Sequence, residues 1–209
     1  MYHFLKIFNN YYFKGILFKI SIYVGETLRD LHTLRERLKN CRKLAVLGVG
    51  NTLRGDDGLG VSIVKSIVSY YIDKYPQQNL NIDREINKIF DKVIIINCGT
   101  VPENFTGILK EEKPDKIVII DSAVMGEEPG TVKLIDMEDI RSVGFSTHTL
   151  PLNVIVKYLM RYIDSEVFIV GMEPENLDFG VEKLSEKIYR KCLEFTGILI
   201  EIIDSILEE

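Results

Sequence analysis

The chain has 209 residues, 46% hydrophobic and 27% charged, with a formal net charge of −5. That length fills one domain with a full core, and the composition is that of a soluble globular protein. The acidic balance speaks against non-specific nucleic-acid binding, which draws on a surplus of Lys and Arg. Cys41, Cys98 and Cys192 are odd in number and widely spaced, with no CxxC or Cys/His zinc pattern, so a reducing cytoplasmic setting is expected. No stretch is apolar enough for a membrane span, and Lys19 splits the best signal-peptide candidate, Gly15 to Val24.

Residues 1–42 read as an N-terminal extension. Within it, Leu28, Leu31, Leu34 and Leu38 recur at helical spacing between charged residues, which predicts an amphipathic helix from Glu26 to Asn40. A poorly ordered extension is the competing reading. Residues 43–209 read as a single α/β domain. Strand Lys43–Leu47 is followed by helix Gly58–Lys74, a polar stretch from Tyr75 to Asp91, and strand Lys92–Asn97. A short helix over Pro102–Glu112 precedes strands Lys116–Asp121 and Thr131–Ile135. Helix Leu150–Tyr162, strand Val167–Val170 and a long helix from Gly180 to Leu207, broken near Gly197, complete the chain. Continuous apolar strands alternating with helices imply a three-layer α/β/α fold around a mostly parallel twisted sheet.

The chemistry concentrates at predicted strand ends. Gly48-Val49-Gly50-Asn51-Thr52-Leu53-Arg54-Gly55-Asp56-Asp57-Gly58 joins the first strand to the first helix. It places two aspartates at the carboxyl edge of the sheet, where open α/β folds bind ligands. One of the pair is expected to serve the turn itself. Asp121 ends the strand Lys116–Ile120 and would lie on the same edge. His148, in Ser146-Thr147-His148-Thr149-Leu150-Pro151, opens a helix that Thr149 can cap and Pro151 can start. Two carboxylates and an imidazole suit Zn, Ni, Mn or Fe without choosing among them. Singly, each residue has a plainer structural reading; together they point to a site. Cys98 closes another strand and could act as a nucleophile with His148 as base, though a small buried residue is the stronger expectation. The glycine spacing fails the dinucleotide fingerprint.

These segments resemble the hydrogenase maturation endopeptidases. The likeness rests on Leu47–Leu53 with Asp56-Asp57-Gly58, Cys98–Asn104, Ile119–Ala123 through Pro129-Gly130, Ser146–Leu152, and Val170–Pro174. It covers the chain from about Lys43 onward and leaves the first forty or so residues without a counterpart. The resemblance implies a cytoplasmic protease with an aspartyl-type site that trims the C-terminal extension of a nickel–iron hydrogenase large-subunit precursor. It implies that Asp57, Asp121 and His148 contact nickel carried by that precursor. The metal then marks the substrate and is not held tightly by the free protein. The histidine loop looks closest to the branch acting on membrane-bound, hydrogen-evolving hydrogenases. A monomer is the default expectation. Two other readings compete. A Mg²⁺-binding receiver module shares the acidic pair but lacks a Lys after the last strand. A metal-dependent hydrolase of small substrates would carry its own metal.

Overall fold

The computed structural model describes residues 26–136, 139–141, 143–145 and 152–208. The four most apolar segments form the centre of the sheet. β1 (Leu44–Val49), β3 (Val93–Gly99), β4 (Lys116–Val124) and β7 (Glu166–Met172) run parallel in the spatial order β3-β1-β4-β7. Their interiors are buried on both faces, which is why they read as unbroken Val/Ile/Leu runs and not as alternating patterns. Three short strands add antiparallel pairings. β2 (Ile86–Ile89) pairs with β3, β5 (Val132–Ile135) with β7, and β6 (Gly144–Phe145) with the end of β4.

Helices cover both faces, as the alternating pattern predicts. On one face α1 (Glu26–Leu38), α2 (Leu59–Lys74) and α5 (Glu186–Glu208) share a core with Val46, Ile95, Val118 and Ile120. On the other, Leu109 of α3 (Thr106–Glu112) and Leu152, Ile155, Val156 and Leu159 of α4 (Leu152–Tyr162) pack against Leu47, Ile94 and Ile119. The β1–α2–β3 connection therefore crosses one face and the β3–α3–β4 connection the other. Strand order reverses between β1 and β4, and open α/β sheets form their ligand crevice at the carboxyl ends flanking such a point.

The structure revises several boundaries. The amphipathic helix near residue 26 is present, and its Leu31, Leu34 and Leu38 are buried in the same core as α2 and α5. Each such leucine contributes about 1.5–3 kcal/mol, so the division expected at residue 42 does not follow a gap in packing. β4 runs three residues past Asp121, which places that carboxylate inside the strand and not at its end. The last helix starts at Glu186, not Gly180, and continues unbroken through Gly197. Ser185 sets the start: its Oγ accepts the Ile188 N–H at 3.5 Å and its carbonyl accepts the Tyr189 N–H at 2.8 Å. A glycine within a helix costs about 1 kcal/mol, which the burial of Phe195, Leu199 and Ile203 in this helix outweighs. Among the described residues no helix is long and apolar enough to cross a membrane.

Candidate active site at the carboxyl edge of the sheet

Two glycines let the turn after β1 sit directly on the sheet. A Cβ at Gly60, in the first turn of α2, would collide with the carbonyl oxygens of Val49 and Ile120. The start of α2 thus rests on β1 and β4 at the crevice itself. Gly50 has φ +136°, and a Cβ there would collide with the Asp57 carbonyl oxygen. The chain therefore folds back as a 3-10 turn over Gly55–Gly58, with Asp56 and Asp57 both fully buried.

Asp57 reaches β4 through a residue that sequence reasoning did not single out. Its Oδ1 accepts the Ser122 hydroxyl at 2.7 Å, and its Oδ2 accepts the Asn51 backbone N–H at 3.1 Å. The backbone N–H of the same Ser122 donates to Asp121 Oδ1 at 2.8 Å. Ser122 thus links the two carboxylates, one through its side chain and one through its main chain. All three residues are buried. Along β4, Ile117, Ile119 and Ala123 belong to the α3/α4 core, while Val118 and Ile120 belong to the α2/α5 core. By strand alternation Asp121 sits on the α3/α4 face and Ser122 on the face of Asp57. Asp121 and Asp57 are therefore connected across the strand through Ser122, a geometry that a one-dimensional motif does not display. Carboxylates this deep require hydrogen bonds or positive charge around them.

Asp56 has the structural role expected of one member of the acidic pair. Its carboxylate accepts the N–H groups of Glu175 at 2.9 Å, Asn176 at 2.8 Å and Ser185 at 2.6 Å, together with the Ser185 hydroxyl at 3.0 Å. It ties the turn after β1 to the segment between β7 and α5. Glu173 does similar work on the other side. Its Oε2 accepts the N–H groups of Met125 at 2.7 Å and Glu127 at 3.2 Å, bracing the chain that leaves β4.

His148, with Thr149 and Pro151, lies outside the described residues. Of the described chain on either side of it, Phe145 pairs with Ala123, two positions after Asp121, and Leu152 is buried at the start of α4. Among the described residues no group of three His, Cys, Asp or Glu side chains is placed to hold a metal ion.

Cys98 is buried at the end of β3, matching the plainer expectation. Burial pushes its thiol well above the usual range, and the carboxylates of Glu85 and Glu103 add to that shift. A raised pKa keeps the thiol protonated and unreactive at neutral pH. Cys41 and Cys192 are buried too, and burial also raises the Cys192 thiol. None of the three should react with a disulfide reagent at pH 8 before unfolding, whereas denatured protein should expose all three. Stoichiometric labelling of native Cys98 would reopen the case for a thiol nucleophile.

Residues 80–202 match the sequence family described as hydrogenase maturation protease. A protein of Methanocaldococcus jannaschii assigned to the hydrogenase maturation proteases is 42% identical over 83% of this chain and 95% of its own length. The hydrogenase 3 maturation protease of Escherichia coli K12 is 30% identical over 73% of this chain and 90% of its own. Among solved structures, the [NiFe] hydrogenase maturation protease HycI from Thermococcus kodakarensis KOD1 superposes with a TM-score of 0.66. It is 26% identical, and the match covers 82% of this chain and 99% of that one.

Proposed function

The chain belongs to the hydrogenase maturation proteases, and from that premise we propose that it removes the C-terminal extension of a nickel–iron hydrogenase large-subunit precursor after nickel insertion. The reaction is hydrolysis of a peptide bond. The nickel enters as part of the substrate and marks it as ready. Asp57 and Asp121 supply carboxylates to the metal-bearing end of the precursor, and His148 supplies an imidazole. The observation that carries the reading is the Ser122 bridge, which joins two buried carboxylates at the reversal of strand order.

In this reading the docked precursor presents its scissile carbonyl beside the carboxylates. A water adds to that carbonyl and gives a proton to a carboxylate, which returns it to the amide nitrogen as the C–N bond breaks, leaving a new carboxyl terminus and a free amine. A precursor-borne metal would polarise the carbonyl or the attacking water. The receiver and small-substrate hydrolase readings gain no support from the two relatives described above, both named as proteases.

Nickel-loaded and nickel-free precursor, each mixed with the protein, provide the test. Mass spectrometry should show a shortened subunit in the loaded sample alone. Equal trimming of both samples would remove nickel as the recognition mark. Trimming of neither would overturn the proposal.

A further inference from the structure

The turn that carries Asp57 and the segment between β7 and α5 both present exposed apolar side chains. Phe179 is 78% exposed, the most of any large hydrophobic among the described residues, and Leu53 is 46% exposed. The loop around Phe179 is not loose. Asn176 accepts the Asp56 N–H through its carbonyl at 2.8 Å and the Asp178 N–H through Oδ1 at 2.7 Å. Arg54 donates to the Leu177 carbonyl at 3.3 Å, Gly180 N–H to the Leu53 carbonyl at 2.8 Å, and Gly55 N–H to the Val181 carbonyl at 2.6 Å. Both segments are thus pinned to each other while the Phe179 ring is held out to solvent. Val124, three positions after Asp121, closes β4 with 46% exposure. The same two segments, through Thr52, Gly55 and Leu184, line a cleft of about 510 Å³ against Val61 and Tyr189 of the neighbouring helices.

Presenting a large apolar ring on a braced loop adds nothing to the core and leaves a surface that water solvates poorly. Rigid exposed aromatics of this kind act as anchors in protein interfaces because little entropy is lost when they are covered. A protease acting on a folded client must seat that client against the edge where its carboxylates lie, and Leu53, Phe179 and Val124 rim that edge. We propose that Leu53 and Phe179 are the anchor of the docking face for the hydrogenase large-subunit precursor, seated on an apolar patch of that folded protein beside its C-terminal extension. The inference rests on the functional reading above for the identity of the client.

Binding and cleavage of the nickel-loaded precursor separate the two ideas. The wild type, the double variant Leu53→Ser/Phe179→Ser and the control Met160→Ser would be compared by biolayer interferometry and by steady-state cleavage. Met160 is 54% exposed on α4, outside the proposed face. The double variant should bind about tenfold or more weakly, as loss of an interface anchor does, and its KM should rise by a similar factor with kcat little changed. Its melting temperature and the behaviour of the control should match the wild type. A double variant that binds and cleaves like the wild type would overturn the docking face while leaving the protease reading intact. Weakened binding without cleavage by any form would support the face and sink the processing reaction. A wild type that does not bind the precursor would overturn both.

Discussion

Asp57→Asn should reduce processing by about 10²–10⁴-fold, the range for losing a group that handles a proton at the reacting centre, while leaving the protein folded. The substitution is nearly isosteric, and both described hydrogen bonds survive it. The amide oxygen can accept the Asn51 N–H in place of Oδ2. The amide nitrogen can donate to the Ser122 hydroxyl, which accepts as readily as it donates. What disappears is the negative charge. Melting temperature should therefore fall by only about 2–4 °C, corresponding to about 1 kcal/mol in a chain of this size. Precursor cleavage and a thermal melt on the same preparation check both halves. A variant that melts far lower but cleaves at the wild-type rate below its transition would reassign Asp57 to structure.

The neighbouring carboxylate should behave in the opposite way. Asp56→Ala strips the acceptor from three backbone N–H groups, at Glu175, Asn176 and Ser185, and from one hydroxyl. Each buried donor left without a partner costs about 1–3 kcal/mol. The total is several kcal/mol, and the melting temperature should drop by about 10 °C or more. Asp56→Asn keeps one acceptor and should fall between the wild type and the alanine variant. Well below the transition, the folded fraction of either variant should retain far more activity than Asp57→Asn, because Asp56 reaches only scaffold. The two adjacent aspartates are thereby separated by readout, one moving the rate and the other the melt. Equal loss of rate in both variants, with equal melts, would contradict the division of labour drawn from their partners.

Several features were legible before the coordinates. The apolar runs at Leu44–Leu47, Val93–Ile96 and Ile117–Ile120 are continuous because both faces of a central parallel strand are covered. The leucine spacing of the first described helix also predicts its buried stripe. The end of β4 was not legible, because Asp121 looks like a strand stop when read by polarity. Within the sheet it pairs with Gly171, and Ser122 pairs with Met172, so polar residues continue the ladder. The start of α5 was missed for a related reason. Ser185 is an ordinary serine in the sequence, and its capping role is fixed by Asp56, which lies 129 positions earlier.

The sequence by itself determined the α/β class, the glycine-rich turn with its two aspartates, and Asp121 as a second acidic position, because periodicity and composition are local properties. Only the tertiary structure decided which aspartate faces β4 and which one holds the scaffold. It also made Ser122 the bridge and set Leu53 beside the Phe179 loop. These are contacts between segments brought together when the order of strands reverses between β1 and β4, and no local pattern along a chain encodes a neighbour that folding supplies from a distance.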